Sequence, residues 1–160
     1  MNIAYTCFCT DVIHEGHLNI IKEARKYGRV IVGVLSDEAV IKYNRFFTLN
    51  QDDRAALIRK IDGVDEVVVQ EDYHYSDIIE KYHPEYIIHG DNWETGYLKN
   101  IRSSVEQQIC KYGGKIIDVP YTYSEAITRI DRQMKEKLAM PEYRRRRLRQ
   151  LIKLRPIVKA

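Results

Sequence analysis

The 160-residue sequence lacks the two glycine-rich motifs that most often hold nucleotide phosphates. It contains neither GxxxxGK[ST] nor GxGxxG, which excludes the P-loop and the common dinucleotide fingerprint. It also lacks an apolar run of membrane-spanning length, so we expect no membrane partner. Any phosphate site in this chain would therefore have to be built in another way.

Cysteine is scarce and is not arranged as a metal or disulfide framework. Cys7, Cys9 and Cys110 form an odd set with no CxxC pair. Cys7 and Cys9 alternate within an apolar run, which favours buried small side chains over a redox pair. Because nothing before Ile3 has the pattern of a signal peptide, we expect a cytoplasmic protein.

Positive charge is concentrated in the last twenty residues. Residues 141–160 contain eight Lys or Arg and one Glu, a net charge of +7, whereas residues 1–140 sum to −4. The run YRRRRLRQ could form a phosphate or RNA patch, but such a run is usually a solvated face, so we expect no nucleic-acid partner. We divide the chain into a folded domain, residues 1–140, and a basic helical linker, residues 141–160.

Short apolar runs alternate with helical patterns through the predicted domain. Strands are predicted at NIAYTCF, RVIVGVLSD, DEVVVQ, EYIIHGD and KIIDV. Helices are predicted over residues 17–27, 52–61, 76–82 and 99–112 and after Tyr123, with Leu57, Ile58 and Ile61 facing inward. This alternation predicts an α/β fold, a three-layer sandwich with a mostly parallel five-stranded sheet.

Ligands of such sheets bind beyond the carboxyl ends of the strands. Polar residues follow four of the predicted strands: Asp11, His14 and His17; Ser36 and Asp37; Gly90, Asp91 and Trp93; and residues 121–124. We expect these four loops to converge at one edge of the sheet.

The segment FCTDVIHEGHLNIIKEA, residues 8–24, carries the strongest local signal. His14 and His17 lie one helical turn apart around Gly16, where a strand gives way to a helix. A helix amino terminus favours an anion, glycine lets a phosphate approach the backbone, and two imidazoles can donate to the same phosphate. On periodicity alone His17 could be a core histidine; the pair, with Asp11 ahead of it, favours a phosphate site.

The order strand, TDVIHEGHLNIIKEA, strand, LSD resembles the HxGH nucleotidyltransferase superfamily, and within it the cytidylyltransferase branch. NQDDRAALIRKIDGVDEVV is similar to the helix that carries an arginine, here Arg54, before a V-D-E-V strand. IIHGDNW is similar to that branch's G-D-D-W signature. The resemblance covers about residues 3–130 and implies the Rossmann-like HxGH nucleotidyltransferase fold.

The resemblance implies that a phosphonate or phosphate oxygen attacks the α-phosphorus of CTP, that pyrophosphate leaves, and that Mg²⁺ neutralises the β,γ-phosphates. It implies catalytic roles for His14, His17 and Lys42, nucleotide-binding roles for Thr10, Asp11, Gly16, Gly90, Asp91, Trp93 and Ser124, and acceptor-binding roles for Arg54 and Arg45. It assigns no metal ligand. Dimers are common in the families that the chain resembles, so a homodimer is expected.

Several of these positions have a second interpretation or depart from the family pattern. For Trp93, a plain core anchor is favoured over direct base contact. Arg54 could instead be a solvated cation paired with Asp52 or Asp53. In the loop after the second strand, Asn44 stands where the family has lysine, so Lys42 or Arg45 must substitute.

The late I-S-S/T-T motif of the family, which begins the last helix, is reduced here to TYSEAIT. Ser124 matches its first serine, but Glu125 replaces a hydroxyl. A carboxylate near phosphates would weaken nucleotide binding unless a metal ion or Lys42 compensates.

A narrower resemblance bears on the acceptor. HGDNWETGYLKNIR and GGKIIDVPYT resemble the cytidylyltransferase domain that precedes a phosphoenolpyruvate mutase in bifunctional phosphonate-biosynthesis proteins. RRRRLRQLIKLRPIVKA resembles the opening of such a mutase domain. This favours a small phosphonate such as 2-aminoethylphosphonate. The alternatives are glycerol 3-phosphate or ethanolamine phosphate as acceptor, a non-catalytic nucleotide-binding or assembly domain of such a mutase, and an adenylyltransferase.

Overall fold

The computed structural model describes residues 1–9, 12–42, 47–93, 98–143, 145, 146 and 149. The strands are Ile3–Phe8 (β1), Arg29–Leu35 (β2), Glu66–Gln70 (β3), Tyr86–Gly90 (β4) and Lys115–Val119 (β5). The helices are Glu15–Ala24 (α1), Asp37–Lys42 (α2), Gln51–Arg59 (α3), Ser76–Tyr82 (α4), Leu98–Cys110 (α5) and Glu125–Ala139 (α6), with a 3₁₀ turn at Asp91–Trp93.

The five strands form one sheet in the order β3-β2-β1-β4-β5, and every pairing between neighbours is parallel. The predicted α/β sandwich is therefore confirmed, with a sheet that is wholly rather than mostly parallel. The order reverses on either side of β1, because β2 pairs with one edge of β1 and β4 with the other. The segments after β1 and β4 thus leave the sheet at its switch point, between these two strands, where such folds bind ligands.

Side chains of β1 alternate between the two faces of the sheet. Ala4 and Phe8 pack in one apolar cluster with residues of α1 and α3, and Tyr5 packs in a second cluster with residues of α4 and α5. Helices therefore cover both faces, which explains why the strands are apolar runs rather than alternating patterns.

The helix α2 is the element that the sequence analysis missed. The apolar run of β2 ends at Leu35, and the Ser36 hydroxyl then accepts a hydrogen bond from the Ala39 amide at 3.1 Å, as helix-starting serines do. Ala39, Val40 and Ile41 are buried. The segment directly after β2, which was expected to be a loop, is therefore a helix packed against the core.

One smaller prediction needs correction, and the domain division stays untested. Leu57 does not face inward but is 41% exposed, because Arg54, Ala55 and Ile58 form the buried face of α3. Within the described part of the chain, no helix is long and apolar enough to cross a membrane.

Candidate active site

Two histidines cap the amino end of α1, because each imidazole accepts a main-chain hydrogen bond in its first turn. His14 is the N-cap residue, with extended backbone angles, and its Nδ1 accepts a hydrogen bond from the Gly16 amide at 3.0 Å. The His14 amide donates in turn to Nδ1 of His17 at 3.2 Å. Imidazoles thus take the places that Ser or Thr and Glu or Gln occupy in the usual capping box. Because His14 is the cap, α1 begins at Glu15 rather than at residue 17 as predicted.

This capping arrangement determines where each imidazole carries its proton. A ring nitrogen that accepts an N–H bond carries no hydrogen, so each neutral ring is protonated at Nε2. Both Nε2 atoms are therefore N–H donors. The ring centroids lie 4.2 Å apart and both side chains are half-buried. Paired donors at the positive end of a helix dipole are suited to binding an anion.

The imidazole of His17 lies in a poorly solvated environment. The edge of Phe8 packs against its ring at a centroid distance of 4.7 Å. Burial, followed by the neighbouring His14, lowers the pKa of His17 to about 4. His17 is therefore a neutral hydrogen-bond donor at neutral pH and not a cation.

Lowering the pH from 6.5 to 4 is expected to destabilise the fold through His17. In this window the unfolded chain binds a proton at His17 that the folded chain does not, so the free energy of unfolding falls as the pH falls. His17→Gln keeps an acceptor for the His14 amide, as glutamine does in ordinary capping boxes. Urea unfolding of this variant should therefore depend less steeply on pH than that of the wild type. Equal pH dependence in the two proteins would contradict the lowered pKa.

Gly16 makes room for the His14 ring. A Cβ at this position would lie 2.8 Å from His14 Cε1 and 3.0 Å from its Nδ1. The glycine is therefore required by the cap itself; its predicted role in admitting a phosphate stays a prediction. The same Cβ would lie 3.8 Å from Cβ of Thr122, so the connection between β5 and α6 passes close to the start of α1.

The connection between β5 and α6 forms a second wall beside the histidines. Thr122 Oγ1 accepts a hydrogen bond from Asn19 Nδ2 of α1 at 3.0 Å. Ser124 caps α6, its Oγ accepting from the Ile127 amide at 3.1 Å, so it precedes the last helix as predicted. Glu125 is exposed in the first turn. Sequence reasoning missed Asn19, because a polar residue on a helix gives no signal of its partner.

The turn after β4 reaches the same connection. Asp91 is half-buried, and its Oδ1 accepts a hydrogen bond from the Tyr121 amide at 3.0 Å. A Cβ on Gly90 would lie 4.0 Å from Cδ2 of Tyr121. The structure thus brings together five predicted site residues through this connection, namely His14, Gly16, His17, Gly90 and Asp91, with Ser124 at its far end.

Trp93 is placed in the core, which corrects its assignment as a nucleotide contact. The side chain is 1% exposed, and its Nε1 donates to Asp118 Oδ1 at 2.7 Å. Its ring stacks on His89 with centroids 3.7 Å apart. The core-anchor interpretation of Trp93 is therefore the right one. The aspartate in the otherwise apolar run KIIDV was the signal that could have revealed its partner.

Arg54 is also buried, which corrects both predictions made for it. Only 1% of the residue is exposed, and its Nη2 forms an ion pair with Asp37 Oδ1 at 2.6 Å. Nη1 donates to the Leu35 carbonyl at 2.7 Å and Nε to the Leu49 carbonyl at 3.0 Å. Arg54 is thus neither open to an acceptor nor a solvated cation paired on its own helix; it joins α3 to the end of β2 and the start of α2.

One further predicted residue, Lys42, is described by the structure, and its position differs from the one that the resemblance implies. Lys42 ends α2 and is exposed, so it lies on a helix and not in the loop where the resemblance places the family lysine. The other predicted positions, Thr10, Asp11 and Arg45, with Asn44, lie outside the described residues.

A cavity of about 410 Å³ adjoins the connection between β5 and α6 without including the histidines. It lies between residues 121–123 and one side of α6 and shares Thr122 with the histidine site. We base the candidate site on the helix terminus, because the hydrogen-bond donors for an anion are there.

The chain resembles known proteins over most of its length. The family model described as Cytidylyltransferase-like matches residues 3–147. The bifunctional protein HldE of Aliarcobacter butzleri is 34% identical over 95 residues, which are 58% of this chain and 20% of that protein. The ethanolamine-phosphate cytidylyltransferase of Arabidopsis thaliana is 32% identical over 90 residues, 52% of this chain and 21% of that protein. The chain thus spans about a fifth of the length of these two relatives.

A solved structure has the same fold. It is that of the lipopolysaccharide core biosynthesis protein from Thermoplasma volcanium GSS1, with a TM-score of 0.61 and 20% identity. The match covers 78% of this chain and 99% of that one. At this identity the likeness concerns the fold alone.

Proposed function

The chain belongs to the cytidylyltransferase-like family, and on that premise we propose that it transfers CMP from CTP to a small phosphonate such as 2-aminoethylphosphonate. An oxygen of the phosphonate attacks the α-phosphorus of CTP and forms a new P–O bond. The bond from that phosphorus to the bridging oxygen breaks, and pyrophosphate leaves with the electron pair. The family match supports nucleotidyl transfer; the choice of CTP and of the acceptor is the proposal.

The observation that carries the proposal is the pair of Nε2–H donors at the amino end of α1. Both rings are oriented by main-chain hydrogen bonds to Nδ1, so the donors are fixed before any ligand binds. We assign them to the triphosphate and to the charge that develops at the α-phosphorus. Since no covalent intermediate is needed, catalysis rests on alignment, which contributes roughly 7–11 kcal/mol in favourable cases, and on charge stabilisation.

Magnesium enters the proposal as a companion of the nucleotide. Among the described residues, no three side chains of His, Cys, Asp or Glu lie together as metal ligands. In such sites Mg²⁺ is usually held by the substrate phosphates, waters and one or two carboxylates. When bound, the ion neutralises the β,γ-phosphates; the histidines orient the triphosphate.

Phosphate esters are the second class of acceptor. The phosphonate is supported by the resemblance to mutase-fused domains, whereas ethanolamine phosphate is supported by the Arabidopsis relative. Glycerol 3-phosphate is supported by the resemblance to the cytidylyltransferase branch as a whole.

A function of another class is supported by Glu125, whose exposed carboxylate stands in the first turn of α6 where the family has a hydroxyl. Repulsion between this carboxylate and the nucleotide phosphates favours a domain that binds nucleotide weakly and does not catalyse transfer.

The deciding experiment measures pyrophosphate release with CTP or ATP, Mg²⁺ and three acceptors: 2-aminoethylphosphonate, ethanolamine phosphate and glycerol 3-phosphate. We expect release with CTP and the phosphonate, and little with ATP. Faster release with a phosphate ester would show that the acceptor is a phosphate ester rather than a phosphonate. Faster release with ATP than with CTP would show that the chain is not a cytidylyltransferase. CTP binding without release from any acceptor would favour the non-catalytic domain. Sedimentation of the same sample would test the proposed homodimer.

A further inference from the structure

We propose that Asp91 is a positioning residue of the nucleotide site, acting by holding the main chain of Tyr121 rather than by touching the nucleotide or a metal ion. This inference rests on the proposed function, because it concerns how that site is assembled. The hydrogen bond from the Tyr121 amide to Asp91 Oδ1, 3.0 Å long, joins the segment after β4 to the segment after β5. The two residues are thirty positions apart in the chain.

The turn that carries Asp91 is fixed by its neighbour Trp93. A three-residue 3₁₀ turn has too few internal hydrogen bonds to hold its own geometry. Trp93 supplies the anchor, since its indole is bonded to Asp118 of β5 and stacked on His89 of β4. Asp118 is held in turn by Arg102 of α5, with Nη2 and Oδ2 2.6 Å apart. The turn that carries Asp91 is therefore attached to β5 and β4 through Trp93.

The main chain that Asp91 holds continues directly to the histidine pair. Tyr121 is followed by Thr122, which is bonded to Asn19 of α1 and lies beside Gly16. Residues 120–124 belong to no helix or strand, so side-chain hydrogen bonds determine their path. Loss of the bond to Asp91 releases one of these attachments and lets the connection move relative to the imidazoles.

A positioning carboxylate and a ligand carboxylate differ in what each must supply. To hold an N–H, residue 91 needs only an acceptor oxygen, which asparagine also has. To bind Mg²⁺ it needs the negative charge, which asparagine lacks. Asp91→Asn therefore keeps the positioning bond and removes the charge, whereas Asp91→Ala removes both.

The test compares the wild type, Asp91→Asn and Asp91→Ala by calorimetric titration with CTP and Mg²⁺ and by hydrogen exchange of the Tyr121 amide, all on the 160-residue chain. We expect Asp91→Asn to bind CTP within about threefold of wild type and Asp91→Ala to bind at least about tenfold more weakly. The Tyr121 amide should be protected in the first two proteins and exchange faster in the third. Fluorescence of Trp93, the single tryptophan, verifies that each variant keeps the turn folded.

Asp131→Ala is the matched control. Asp131 also accepts a hydrogen bond from Tyr121, but from the phenol hydroxyl, at 3.1 Å, on an exposed face of α6. Its removal should leave CTP affinity and exchange of the Tyr121 amide unchanged.

Two results would overturn the inference: equal loss of CTP affinity in Asp91→Asn and Asp91→Ala, or a Tyr121 amide whose protection does not depend on residue 91. Wild-type protein that binds no nucleotide would instead refute the proposed function. In that case the exchange measurement still decides whether Asp91 holds the main chain of Tyr121.

Discussion

Replacing His17 with alanine is expected to lower the rate of pyrophosphate release from CTP by at least about 100-fold, the usual cost of removing one preorganised donor from a charged transition state. The variant loses the Nε2–H donor and also the acceptor for the His14 amide. Loss of a cap costs typically about 1 kcal/mol of stability, so the protein should still be folded when its activity is lost. Steady-state rates, with the thermal midpoint measured on the same sample, separate the two effects.

His74→Ala is the control for this prediction. His74 is an exposed histidine ahead of α4, and its ring has no part in the capping arrangement. Its replacement should leave turnover unchanged. Should the His17 variant keep near-wild-type turnover, or should both variants lose activity to the same degree, the imidazole pair has no role in the chemistry.

Replacing Arg54 with methionine is expected to lower the free energy of unfolding by about 3–5 kcal/mol, since breaking a buried ion pair leaves an uncompensated charge. The Asp37 side chain is only 14% exposed, and burial already raises its pKa against the opposing effect of Arg54. The carbonyls of Leu35 and Leu49 also lose their donor. Urea unfolding followed by circular dichroism measures the change.

Two variants provide the controls for Arg54. Arg59→Met changes an exposed arginine of the same helix and should shift the free energy of unfolding by no more than about 0.5 kcal/mol. Adding Asp37→Leu to Arg54→Met removes the orphaned carboxylate and should recover part of the lost stability. A loss no larger than that of Arg59→Met would show that the ion pair between Arg54 and Asp37 does not stabilise the fold.

Features set by local sequence were predicted well. The bounds of β5 and α4 are those expected from the sequence, because an apolar run bounded by turn residues and a helix stopped before proline are local signals. His14 and His17 meet for the same reason, since residues three apart share one helical turn. The proximity of the two imidazoles could therefore be predicted from the sequence, whereas their role in binding stays a prediction.

Features set by contacts between distant segments were not predictable. Nothing near Arg54 in the sequence shows that β2 ends against its guanidinium, so its burial could not be anticipated. The partners of Trp93 and Asp91 lie twenty-five and thirty residues away, on β5 and the segment that follows it. Helix α2 was missed because a helix of six residues is too short to show a helical period in the sequence.

The central claim is that a triphosphate lies over the amino end of α1, held by the Nε2–H groups of His14 and His17. Long-range ¹H–¹⁵N correlation spectra of the histidine rings, recorded with and without CTP and Mg²⁺, test it most directly. Both rings should carry their proton on Nε2, and CTP should shift both Nε2 signals while leaving those of His74 unchanged. Protons found on Nδ1, or ring signals that stay in place while calorimetry shows CTP bound, would contradict the claim.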